Sequence, residues 1–144
     1  MRGVPLLDVN ALVALAWPNH VHHARAHAWF AGIEAWATCP ITQTGFVRVS
    51  SNRRAIPDAK TPPEAIGLLA AMLRLRGHRF WEDATSIVSS SRESFDRVVS
   101  HRQVTDAHVL DIARAHGGYV ATFDRGILDL LRGGDASGDV RLIP

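Results

Sequence analysis

The chain has one cysteine, one lysine and one tyrosine in 144 residues. A lone thiol, Cys39, cannot form an intrachain disulfide. That excludes a disulfide-stapled secreted scaffold and suits a reducing compartment, so a cytoplasmic setting is expected. No apolar run approaches the ~20 residues that span a bilayer, so no membrane association is expected. The opening MRGVPLLDVN has neither a long apolar stretch nor a small-residue cleavage site, so it does not read as a signal peptide. The basic side chains are almost all Arg, with Lys60 the only lysine. The net charge is +2 although the pI is about 9.3, so any basic surface must be local. Arg grips phosphates bidentately, so a nucleic-acid partner is allowed. A GC-rich genome that favours Arg and Ala codons is the blander source of the excess.

The composition that remains, 47% apolar and 21% charged, is that of a folded chain with one core, and residues 1–144 read as a single domain. Strands are expected over residues 4–8, 35–39, 78–83, 119–122 and 140–143. Helices are expected over 10–17, 20–32, 42–52, 64–76, 105–116 and 127–131, with a serine-rich segment at 86–101 turning helical. Thr105 is the expected N-cap of the 105–116 helix and Gly117-Gly118 its stop. Residues 50–63 hold Asn52, Arg53, Arg54 and three prolines and read as a polar loop. Strands alternating with helices argue for an α/β sandwich with a mainly parallel central sheet.

In such a sheet, function collects at the carboxyl ends of the strands. Asp8 ends the first strand, and Asp124 lies two residues past the strand at 119–122. Asp106 sits in the first turn of the helix before that strand. The tight Gly117-Gly118 turn makes helix and strand antiparallel and returns Asp106 to the edge where Asp124 emerges. Crowded carboxylates stay ionised together only beside a cation. Oxygen ligands favour Mg²⁺ or Mn²⁺, which can acidify a bound water and orient a phosphodiester. Each Asp also has an ordinary role open to it: Asp106 favours a helix N-terminus, and Asp124 starts a turn before Gly126. Asp8, following PLL in a buried strand, needs a partner in any case.

Taken in order, LLDVNAL, TQTGFVRVSSN and VTDAHVLDIARAHGGYVATFDRG closely resemble the PIN-domain ribonucleases, specifically the VapC-type toxins of bacterial toxin–antitoxin pairs. The resemblance covers nearly the whole chain. It implies a three-layer α/β/α sandwich and a metal-dependent endoribonuclease that cuts structured RNA, tRNA or rRNA. It further implies neutralisation by a VapB-type antitoxin whose C-terminal segment covers the site, and a homodimer. Asp8, Asp106 and Asp124 match the family's acidic positions and would hold Mg²⁺ or Mn²⁺. Asn10 and Thr122 match polar positions beside the metal, and Arg48 is a candidate to contact an RNA phosphate or an acidic site residue, against a solvated helix Arg. One departure stands out: where the family often has a Glu on the third helix, this chain has Gly45. The loss of that acid supports an alternative, a degenerate PIN module that binds RNA or antitoxin without cutting. Receiver and dehalogenase-like phosphoryl-transfer sites fit poorly, since no lysine follows Lys60 and Asn10 stands where the second would need an Asp.

Other polar residues carry less. His20, His22, His23 and His27 cluster, and His23 and His27 lie one helical turn apart, but a surface helix is the simpler reading. His108 is turned to another face than Asp106. Asp111 is expected to be solvated or paired with Arg114, and Asp129, Asp135 and Asp139 solvent-facing. Trp17 or Trp29 is assigned to an antitoxin or dimer interface, although a tryptophan can also stack on bases. Arg53-Arg54 is an RNA-backbone candidate against two solvated charges.

Overall fold

The computed structural model describes residues 3–88, 94–131 and 138–144. Five short strands, β1 (Pro5–Leu7), β2 (Trp36–Thr38), β3 (His78–Phe80), β4 (Tyr119–Thr122) and β5 (Val140–Leu142), form one sheet. The sheet runs in the order β3-β2-β1-β4-β5 and every pair is parallel. Five α-helices accompany them: α1 (Val9–Ala16), α2 (His23–Phe30), α3 (Pro40–Ser50), α4 (Pro62–Leu73) and α5 (Val104–Ala115).

The side-chain alternation along each strand makes the three layers. Leu7, Trp36, Tyr119 and Ala121 face one way and pack with the buried residues of α1, α2, α3 and α4. Leu6, Ala37, Val120 and Val140 face the other way, against α5 and the apolar residues Ile127, Leu130 and Leu131. The three inner strands, β1, β2 and β4, are buried on both faces, which is why they read as continuous apolar runs. The sandwich expected from the sequence is thus the one observed.

The strand order sets the position of the site. From β1 the chain moves outward through β2 to β3, then α5 carries it back to β4 on the opposite side of β1. The reversal lies between β1 and β4, where ligands bind in open α/β sheets, outside the carboxyl ends of the strands.

The turn that sends α5 back into β4 is a Schellman motif. The Gly118 N–H donates to the Ala113 carbonyl at 2.9 Å and the Gly117 N–H to the Arg114 carbonyl at 3.1 Å. Gly117 has φ +73°, and Gly118 lies so close to the Val4 carbonyl and the Trp81 ring that a Cβ would overlap both.

Four local expectations need correction. Thr105 is not the cap of α5. A 3₁₀ turn at His101–Gln103 runs directly into the helix, so Gln103 is the flanking residue and Thr105 lies inside the first turn. The segment at 86–101 forms no α-helix among its described residues, and residues 89–93 lie outside them. Residues 20–22 form a turn before α2, pinned by the His22 N–H donating to His20 Nδ1 at 3.0 Å. The short helix expected at 127–131 is a 3₁₀ segment, Arg125–Leu130.

The two glycines of the α5–β4 turn should fail for different reasons. Gly117→Ala is expected to cost about 1 kcal/mol, from the left-handed backbone alone. Gly118→Ala should cost more, about 3 kcal/mol, because a backbone carbonyl cannot move aside. Urea denaturation of both variants checks this; equal losses would mean that the Trp81–Val4 contact does not constrain the turn.

Candidate active site

Asp8 follows β1 and Asp124 follows β4, the two strands that flank the reversal, and Asp106 is in the first turn of α5. Together with Asn10, Val13 and His20 these three carboxylates line one open cleft of about 340 Å³. The convergence expected from the sequence is therefore present. Thr122 and Asn10 also meet there. Arg48 does not line this cleft but a larger neighbouring one, of about 620 Å³, with Gly45 and Thr105. Val9 and Val49 line both clefts and form the ridge between them.

Each carboxylate sits at the start of a helical segment, where unpaired N–H groups and the helix dipole favour negative charge. Asp8 is the N-cap of α1, and its Oδ1 accepts the Val9 N–H at 2.8 Å. Asp124 caps the 3₁₀ segment, and its Oδ1 accepts the Gly126 N–H at 2.8 Å. Asp106 lies in the first turn of α5. The polar neighbours hold two of these acids in place. Thr122 Oγ1 donates to Asp8 Oδ2 at 2.8 Å while accepting Asn10 Nδ2 at 3.0 Å and the Asp124 N–H at 3.0 Å. Asn10 Oδ1 accepts the Phe123 N–H at 3.1 Å. The Phe123 ring stacks on His22, centroids 4.5 Å apart, with the Arg25 guanidinium 5.1 Å away, so α2 steadies the corner that carries Asp124.

The charges remain under-compensated. Desolvation pushes the Asp8 carboxyl above its ordinary range, against the Thr122 and Val9 hydrogen bonds, and the Asp124 charge adds to the push. Asp106, with no side-chain donor among the described residues, is pushed from 3.8 to about 6 by desolvation and then by the Asp8 and Asp124 charges. Among the described residues no three acidic, His or Cys side chains are drawn close enough to form a closed cage for an ion. Mg²⁺ needs only one or two carboxylates, with water completing its shell. An all-oxygen donor set under uncompensated negative charge fits a hard divalent cation.

Gly45 has a packing reason. A Cβ there would overlap Val9 Cγ2, so α3 approaches the first residue of α1 with no room for a side chain. The place of an acid at this position is occupied by Val9, next to Asp8.

The remaining polar candidates have structural partners. His23 Nδ1 and His27 Nε2 lie 2.8 and 2.9 Å from the Ala14 and Leu15 carbonyls, tying α2 to the end of α1 where carbonyls lack helical donors. His108 pairs with Asp83 at 2.8 Å. Asp111 is buried, not solvated: it accepts from Ser94 Oγ at 3.1 Å. Arg114 bonds that same Ser94 Oγ and Asp139, so Asp139 is paired rather than simply facing solvent. Asp129 is exposed, and Asp135 lies outside the described residues. Trp36 is fully buried and Trp81 packs against His116, whereas Trp17 and Trp29 are only partly buried. Arg53 and Arg54 are exposed in the α3–α4 loop. Sequence reasoning missed His20 at the acidic cleft, because its place depends on the turn after Pro18 and not on any periodicity.

Set beside known proteins, the sequence matches the PIN domain over residues 6–131. With the all-parallel sheet and the acidic edge, this defines the class: the chain belongs to the PIN-domain family. It is similar to VapC-type members. It is 49% identical over 126 residues to Ribonuclease VapC39 of Mycobacterium tuberculosis, covering 86% of this chain and 91% of that one. It is 48% identical over 127 residues to Ribonuclease VapC38, covering 87% and 88%, and 48% identical over 124 residues to Ribonuclease VapC44, covering 85% and 87%, both of the same organism. The resemblance carried by the three sequence motifs is borne out.

The raised Asp106 carboxyl has a consequence for stability. A group that binds its proton more tightly folded than unfolded stabilises fully below 3.8, and that contribution is lost as pH rises through about 6. Chelator-treated protein should therefore lose stability across this window. Asp106→Asn should flatten the loss and be more stable than wild type at neutral pH. Thermal melts against pH decide it, and an unchanged slope in the variant would contradict the assignment.

Proposed function

We propose that this chain is a metal-dependent endoribonuclease toxin of the VapC type, cutting structured RNA such as tRNA or rRNA in the cytoplasm. The reading also includes a VapB-type antitoxin as the neutralising partner and a homodimer as the working form. The observation that carries the nuclease reading is the sharing of one cleft by Asp8, Asp106 and Asp124 at the strand reversal, with Asp106 pushed up to about 6.

Asp8, Asp106 and Asp124 would hold Mg²⁺ or Mn²⁺. When bound, such an ion neutralises the acids and the phosphodiester and acidifies a coordinated water. The chain's own residues supply position. Thr122 and Asn10 fix the rotamer of Asp8, and the Gly126 N–H fixes that of Asp124. Arg48, exposed at the neighbouring cleft, offers a guanidinium to an RNA phosphate one step along the strand. Val9 and Val49, between the clefts, give the backbone an apolar ridge to cross. Arg53 and Arg54 add sequence-independent attraction.

A second reading retains support from Gly45. With Val9 filling the place of a fourth acid, the fold could bind RNA or antitoxin and cut nothing. Total RNA incubated with antitoxin-free protein and Mg²⁺ or Mn²⁺ separates the two. The nuclease reading expects discrete cuts, reduced by about 10²-fold or more in Asp8→Asn and by about 10- to 100-fold in Thr122→Val. Binding without cuts in wild type would give the second reading the lead.

A further inference from the structure

Next to the acidic cleft lies a smaller hollow of about 220 Å³ between the α1–α2 turn and the α3–α4 loop, and His20 lines both. We propose that this hollow is a nucleobase subsite, taking one unstacked base adjacent to the phosphodiester held at the carboxylates, with guanine the best-matched base. The proposal rests on the ribonuclease reading for its substrate and goes beyond it in naming what the enzyme reads.

The walls suit a planar heterocycle. Trp17, Ile56 and Pro57 supply flat apolar surface, while Asn19 and Asp58 supply polar edges. Trp17 is held as a platform: its Nε1 donates to Oγ of the buried Ser50 at 3.1 Å, and the Lys60 ammonium lies 6.0 Å from its ring centroid. Bases stack on such aromatic faces. The volume is below the ~300–1,000 Å³ of pockets for drug-sized ligands, on the scale of a single base.

Charge decides which part of an RNA enters. Asp58 repels phosphate, so the backbone must pass outside, over Lys60 and the exposed Arg53 and Arg54, while the base turns inward. A carboxylate accepts the paired N1–H and N2–H of guanine together, whereas uracil offers it a single ring N–H.

His20 stands on the ridge between hollow and cleft. Its Nδ1 accepts the His22 N–H at 3.0 Å, which leaves the ring proton on Nε2. Burial, with His22 and His23 adding to it, lowers its pKa, so the ring stays a neutral donor. It is placed to meet the sugar–phosphate link between the bound base and the reacting phosphodiester.

The test uses the full-length chain and fluorescent uridine octamers carrying one central guanosine, inosine or abasic nucleotide. Binding is read by anisotropy on the Asp8→Asn protein, so that cutting does not intervene. The guanosine octamer should bind at least about tenfold more tightly than the abasic one, with inosine between them. Asp58→Asn in the same background should abolish the guanosine–inosine difference, while the abasic octamer binds no more weakly because a charge that repels phosphate is gone. Trp17→Phe should keep most of the stacking gain and Trp17→Ala lose it, with melts confirming that both fold. Equal binding of all three octamers, or a guanosine preference untouched by Asp58→Asn, overturns the subsite. If the hollow serves a protein partner instead, Asp58→Asn and Trp17→Ala would weaken antitoxin binding and leave the octamer series flat, which also overturns it. Wild-type protein that cuts no RNA sinks the ribonuclease reading separately, because the octamer contrast is a binding measurement.

Discussion

Electrostatic repulsion among three carboxylates at one edge of a parallel sheet is the constraint on which the rest of this structure turns. The fold answers it in stages. Asp8 and Asp124 each receive a backbone N–H from the segment they cap, and Thr122 adds a hydroxyl to Asp8. Asp106 receives no side-chain or capping donor among the described residues and is pushed to about 6. Burial raises the Asp8 carboxyl too, despite its partners, so the cluster as a whole carries negative charge that a cation would neutralise. Topology does the rest, since the reversal between β1 and β4 leaves two strand ends open to the same cleft.

Packing near the acids is as constrained as their charge. Val9 follows Asp8 directly and packs where a Cβ of residue 45 would go, so the identity of residue 45 is tied to the geometry of α1. The same valine, with Val49, separates the acidic cleft from the larger cleft that holds Arg48. A strand of RNA crossing this ridge would meet cationic charge on one side and carboxylates on the other. His20 provides the corresponding boundary toward the Trp17 hollow. The site is in this way divided by three side chains from α1, α3 and the α1–α2 turn.

Much of this was legible in the sequence because strand ends and helix stops have local causes. The acid following PLL, the Gly117-Gly118 stop and the strand at 119–122 together place Asp8, Asp106 and Asp124 at one edge. The unread parts depended on contacts between distant segments. Thr105 resembles a cap, but the preceding 3₁₀ turn takes that position. Asp111 resembles a surface acid, yet it lies under Ser94, seventeen residues upstream. The histidines of α2 look like a metal pair by spacing and instead meet carbonyls at the end of α1. Nothing in the local pattern around Gly45 announces that Val9 will be its neighbour.

The central claim, that these acids hold a divalent cation, is tested most directly by Mn²⁺ binding to the chelator-treated protein, followed by electron paramagnetic resonance of the free ion. The account predicts saturable binding to wild type, weakened at least about tenfold in Asp106→Asn and competed by Mg²⁺. It also predicts that bound Mn²⁺ raises the melting temperature of wild type more than that of the variant. Mn²⁺ that binds both proteins equally, or neither, would contradict it.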